Sequence, residues 1–243
     1  MPAVWMIANA KNGISSCELA RALGVTQKTA WFMLQRIRLA LQSGTMVRLG
    51  GTVEVDETFI GGRARTMNRK QKEHRNIKTS TKHLSPVQGL LERTKDGVKA
   101  SRIVLQHTEK IDKTALDSNV RKYVLRGSVV NTDQSFVYDE IDDEYVREVI
   151  NHAQCYAKGK VHVNGLENFW SLLKRTIRGT YVSVEPFHLF RYLDEQAFRF
   201  NERRDEDGDR GRFLKAMAGI IGKRLTWAKL TAENEGLPAG ASV

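Results

Sequence analysis

The stretch GTVEVDETFI, residues 51–60, decides the fold of most of this chain. Its side chains alternate with a period of two: Val53, Val55, Glu57 and Phe59 fall on one side, Glu54, Asp56, Thr58 and Ile60 on the other. β-Branched residues fill it and Gly50-Gly51 lead into it, so it reads as a β-strand that carries Asp56 within its span. A carboxylate there is costly to bury unless a cation or hydrogen-bond donors compensate it, which makes Asp56 a candidate metal ligand. Taken alone, the segment fits equally well a half-exposed strand with charges on its wet face.

Further acids break the tie. Downstream, PVQGLLER and VKASRIVL flank Thr94-Lys95-Asp96-Gly97, and Asp-Gly between two apolar segments signals a hairpin. With the Asp56 strand these make an antiparallel trio. Asp112 to Leu125 has helical spacing, and Ser128 to Asp133 then reads as a short strand with an acid at its carboxyl end, the edge where ligands collect in mixed α/β sheets. Asp139, Asp142 and Asp143 look like surface charges on a following helix, and Glu148 to His152 like another short strand. In HVNGLENFWSLLKRTIRGTY, residues 162–181, Leu166, Trp170, Leu173 and Ile177 form the apolar stripe of a helix. Asn164, Glu167, Ser171, Lys174 and Arg178 share another face, so one helix presents a carboxylate and, two turns on, cations suited to phosphate. By itself that face is an ordinary amphipathic surface. After two strand-borne acids it becomes a candidate third ligand. Phe187, Phe190, Leu193, Ala197 and Phe200 suit the buried stripe of a last long helix opened by Pro186, whose Arg191, Arg199 and Arg203 are candidates to face DNA.

Upstream, SSCELARALGVTQKTAWFMLQRIRLAL, residues 15–41, reads as a helix ending at Leu23, a turn at Gly24 and a second helix capped by Thr26. Ala30, Leu34, Ile37 and Leu41 make that helix's apolar face, which leaves Gln27 and Lys28 at an exposed front able to enter a major groove. A plain helical hairpin is the competing reading. Trp5 and Ile7 are expected to complete a three-helix cluster, with Cys17 packed inside it.

Composition agrees with a nucleic-acid partner. The 243 residues carry 39 Lys and Arg against 28 Asp and Glu, a formal charge of +11, which concentrates polyanions around the chain. Much of the excess lies in the polar stretch 61–83, where Arg63, Arg65, Arg69, Lys70 and Lys72 are candidate phosphate contacts on a loop. Cys17 and Cys155 alone build neither a disulfide framework nor a CxxC zinc half-site. No apolar run approaches the roughly 18 residues that span a bilayer, and a cytoplasmic protein is expected. The Ala/Gly-rich end from Gly236 reads as a frayed tail.

At this point VDETFIGG, VVNTDQSFVYDEI, HVNGLENFWSLLKRTIRGTY and HLFRYLDEQAFRFNERR resemble the ISXO-like DDE transposases of bacterial insertion sequences. The likeness runs from about Trp5 to Arg204, and its most specific part is His162 to Arg204. It implies an α/β (α+β) fold: a ribonuclease-H-like mixed sheet flanked by helices, preceded by a small all-α helix-turn-helix domain. The implied division is 1–45 for the helix-turn-helix, 46–222 for the catalytic domain and 223–243 for a tail. It further implies that Asp56, Asp133 and Glu167 hold two divalent ions, magnesium or in its place manganese, with Asn164 or Asn168 as the alternative third residue. Lys174 would touch phosphate near the cut end, His162 and Asn164 would support the site, and Tyr181 would stack on a base. Double-stranded DNA is the implied partner, engaged by a homodimer because two element ends must meet. Relatives often carry a cysteine-rich zinc ribbon ahead of the helix-turn-helix, and these 243 residues have none. The competing functions are a DNA-binding protein without catalysis and a ribonuclease-H-like nuclease or resolvase.

Overall fold

The computed structural model describes residues 1–42, 48–61, 84–94, 100–108, 111–133, 144–150 and 163–231, without the side chains of Asp133 and residues 147–150. Outside the described residues lie Arg63, Arg65, Arg69, Lys70, Lys72, His162 and Cys155, the hairpin turn at Lys95-Asp96-Gly97, the acids Asp139, Asp142 and Asp143, and the tail from Gly236. The chain divides into two units, Thr45–Pro186 and a discontinuous one made of Met1–Gly44 and Phe187–Val243.

The first of these is a mixed α/β layer. Strand β1 (Thr52–Ile60) is the alternating stretch, and β2 (Ser85–Glu92) and β3 (Arg102–His107) form the expected antiparallel trio with it. Helix α4 (Lys113–Tyr123) leads into β4 (Val129–Asp133), which pairs parallel to β1, and β5 (Val146–Ile150) pairs parallel to β4. The sheet order is β3-β2-β1-β4-β5. A core of Val53, Val55, Leu90, Val104, Leu116, Val120 and Val130 lies between the sheet and α4. Helix α5 (Asn164–Thr176) buries Leu166, Phe169, Trp170 and Leu173 and runs into a π-helical turn, Ile177–Tyr181.

Among the described residues the discontinuous unit is helical. Helices α1 (Pro2–Asn9), α2 (Ser16–Leu23) and α3 (Gln27–Leu41) come from one end of the chain. Helices α6 (Pro186–Asn201), α7 (Gly208–Ala218) and α8 (Trp227–Thr231) come from the other. Gly24 ends α2 in the left-handed region at φ 66°, and the Thr26 hydroxyl accepts from the Thr29 N–H to start α3, as the spacing predicts. Ala30, Leu34, Ile37 and Leu41 are all buried, and Ile7 joins them. Phe198 and Ala216 from the C-terminal helices complete the same core.

Several expectations change here. The sequence division places 187–222 with the sheet, whereas those residues pack with the N-terminal helices. Buried polar pairing binds the two ends together: Arg38 Nε donates to Glu195 Oε2 at 2.6 Å, both side chains within 1% of full burial. That partnership spans 157 residues and leaves no periodic trace in the sequence. Residues 223–231, assigned to the tail, include α8, whose Leu230 is buried and whose Trp227 packs edge-on against Trp31 and Phe32. On α6 the buried face is rotated from the predicted stripe. Leu193 and Ala197 are buried, Phe187 and Phe190 are exposed, and Leu189, Tyr192, Glu195 and Phe198 face inward. Arg191 is buried and Arg199 pairs with Glu195, so of the three arginines assigned to DNA only Arg203 is exposed. Cys17 is exposed, not packed inside the hairpin, because α2 turns Leu19 and Ala20 inward.

Candidate active site

The site begins at the β1–β4 junction. Their parallel register pairs Val55 with Thr132. Asp56 and Asp133 are each the next residue along, so the backbone places the two aspartates side by side on neighbouring strands. The apolar side chains of Val53, Val55 and Val130 make this junction the middle of the sheet, and Asp133 ends β4 as its position after a short apolar run predicts.

Asp56 is half-buried and its Oδ2 accepts a hydrogen bond of 2.8 Å from the Trp170 indole N–H. The indole reaches it because β2 has a glycine opposite: Gly89 is the register partner of Asp56. A Cβ on Gly89 would lie 2.6 Å from the Trp170 ring and 2.9 Å from Leu166 Cδ2. The aromatic ring occupies the room that any other residue would fill.

Glu54, two residues earlier and on the same face of β1, is buried at 1% exposure. Its Oε2 accepts from the Leu166 N–H at 2.9 Å, and its Oε1 accepts from Arg93 Nε at 2.6 Å. Leu166 is the third residue of α5, whose N-terminal boundary residue Val163 supplies no side-chain cap. The strand carboxylate therefore takes the place of a cap, and Arg93 neutralises it. Gly165 admits this approach, since a Cβ there would stand 2.8 Å from Glu54 Oε2. Sequence pattern alone does not mark Glu54, Arg93, Gly89 or Gly165, and it gives Trp170 only a place in the apolar stripe of α5. The signal for Glu54 is chemical: an acid sharing the inner face of a β-branched strand with Asp56 requires a donor.

Glu167 follows Leu166 directly and is exposed in the first turn of α5, as is Asn164, and Asn168 is exposed at the next position. Lys174 and Arg178 continue that face, half-buried and exposed, and neither side chain makes a hydrogen bond or ion pair among the described residues. Tyr181 is half-buried at the end of the π-helical turn. No three His, Cys, Asp or Glu side chains converge among the described ones, which do not include that of Asp133. Away from this site, Gln27 donates to Ser16 Oγ at 2.7 Å, and Lys28 Nζ lies 4.5 Å from the Trp227 ring centre. The front of α3 is thus exposed but already engaged within its own helical unit.

The model of the ISXO2-like transposase domain matches residues 48–201, which takes in strands β1 to β5 and helices α4, α5 and α6. The chain belongs to this family. It is also similar to an uncharacterized transposase-like protein of Haemophilus influenzae, 34% identical over 83 residues that make up 34% of this chain and 67% of the relative. For a transposase-family protein the mixed sheet is a rigid platform, and the acids at Asp56 and Asp133 stand on strands rather than loops, where backbone pairing fixes their spacing. No helix among the described residues is long and apolar enough to cross a membrane.

Proposed function

We propose that this protein is a DDE transposase that cleaves DNA at the ends of an insertion sequence and joins the freed strands to a target. Asp56, Asp133 and Glu167 are its metal-binding acids. One observation carries the reading: the parallel β1–β4 register that brings Asp56 and Asp133 together from positions far apart in sequence. A ribonuclease-H-like fold requires one acid on the first strand, a second at the end of the fourth and a third on a later helix, and the order β3-β2-β1-β4-β5 with α5 afterwards supports that assignment.

The donor set fits a hard divalent cation, since it consists of carboxylates, one of them held by an indole N–H at 2.8 Å. Asp56, Asp133 and Glu167 would hold divalent ions, magnesium or manganese, which would supply activation of the attacking water or 3′-hydroxyl and stabilisation of the departing oxygen. The protein's own part is placement. Asp56 and Asp133 offer oxygen ligands from adjacent strands, and Glu167 offers its carboxylate from the first turn of α5. Lys174 and Arg178, unpaired within the described residues, contact phosphate further along the same helix. Residues 15–41 serve as a helix-turn-helix that reads or grips duplex DNA, supported by the Gly24 turn and the exposed front of α3. Two copies act together in the cytoplasm, because two element ends must be joined in one event.

The test uses purified protein, a duplex bearing the element's terminal sequences, and magnesium. Wild type is expected to give nicked and joined products that EDTA suppresses, and Asp56→Asn and Asp133→Asn to bind the duplex yet give none. If Asp56→Asn cut and joined as fast as wild type, the assignment would fail. Footprints without products from wild type would instead identify a DNA-binding protein without catalysis.

A further inference from the structure

We infer that Trp170 is a positioning residue for Asp56, and that Glu54 sets the helix carrying Glu167 against the strand carrying Asp56. This rests on the reading of Asp56 as a metal ligand and goes beyond it, because it assigns roles to residues outside the acid trio.

Four independent features converge on the same few ångströms. The indole N–H meets Asp56 Oδ2 at 2.8 Å. The ring that delivers it lies over Gly89, the cross-strand partner of Asp56, where a methyl group would stand 2.6 Å from ring carbons. One turn back on α5, the Leu166 N–H is held by Glu54 Oε2 at 2.9 Å, with Arg93 fixing the other oxygen. Gly165 leaves the space for that contact. Strand β1 thus grips α5 twice, through Glu54 at the helix start and through Asp56 at Trp170. Glu167 lies between the two grips in sequence and inherits its place from both.

Core packing alone does not account for this arrangement. A phenylalanine would fill most of the same apolar space, and only an indole, or another ring bearing an N–H, donates to the carboxylate. A hydrogen-bonded ligand carboxylate loses less rotamer freedom when it takes a cation, and removing such a partner typically weakens metal binding by about 10- to 100-fold. The indole donor also orients the carboxylate before any ion arrives.

The experiment uses the full-length protein without DNA. Manganese binding to wild type, Trp170→Phe and Asp56→Asn is measured by calorimetry, alongside melting curves. Trp170→Phe is expected to bind manganese about 10- to 100-fold more weakly while remaining folded, and Trp170→His to recover part of the loss. In wild type the Trp170 indole N–H resonance, assigned by through-bond NMR on the wild-type protein itself, is followed; it should move on adding magnesium and in Asp56→Asn. This second measurement leaves the core intact, so it decides the matter even if Trp170→Phe unfolds. Wild-type manganese affinity in folded Trp170→Phe, or an indole resonance unmoved by both magnesium and Asp56→Asn, overturns the inference. Asp56→Asn binding manganese as tightly as wild type overturns the metal-site reading itself, which is a separate failure.

Discussion

Glu195→Gln should unfold the helical unit far more readily than its small chemical change suggests. Glu195 is fully buried and accepts from Arg38 Nε at 2.6 Å and from Arg199, while the Arg38 guanidinium also lies 3.8 Å from the Tyr192 ring centre. Gln is nearly isosteric, so no cavity opens; what changes is that Arg38, at 1% exposure, loses its countercharge. Removing one member of a buried pair costs about 3–5 kcal/mol, because the remaining charge stays desolvated. For a unit of about 100 residues, each kcal/mol lowers the melting temperature by about 4–8 °C, which predicts a fall of at least about 12 °C. Urea unfolding followed by fluorescence of Trp31 and Trp227, which pack together in this unit, reads the effect directly. The double variant Arg38→Met with Glu195→Leu should be far milder than the sum of its singles, since a buried pair replaced by apolar residues is often close to neutral. A Glu195→Gln cost under about 1 kcal/mol, or additive singles, would refute the claim that this pair joins the two ends of the chain.

Burial raises the Asp194 carboxyl from its ordinary 3.8 to about 7, against the opposing pull of Arg191 and Lys223. The folded chain therefore keeps a proton that the unfolded chain releases, so this group's contribution to stability is full below the ordinary 3.8 and is lost as pH rises through about 7. Asp194→Asn should flatten that decline and melt higher than wild type at about pH 8, as read from melting curves across the range. Val182 sits at φ 63° and ψ −56°, with the Ser183 N–H on Tyr181 O at 2.6 Å, a strained γ-turn that a β-branched side chain resists. Val182→Gly should relieve about 1 kcal/mol and raise the melting temperature by a few degrees; a lower melting temperature would show that the turn carries no strain.

Much of the local structure is legible in the sequence, though the inward face of α6 and the existence of α8 are not. The alternation of Val53, Val55 and their neighbours makes β1, the Thr26 and Gly24 signals bound α2 and α3, and the spacing of Leu166, Trp170, Leu173 and Ile177 makes α5 and its inward face. These follow from periods of two and 3.6 and from backbone caps, which act within a few residues. The positions of Asp56, Asp133 and Glu167, each on its own strand or helix, are legible for the same reason. Only the tertiary structure decided what those elements meet. The insertion of β4 beside β1, the indole of Trp170 over Gly89, the capping of α5 by Glu54, and the union of α3 with α6 through Arg38 and Glu195 all join residues distant in the chain. Such partnerships are selected by which buried donor finds which buried acceptor once the chain has collapsed, and a local hydrophobic pattern holds no record of that choice.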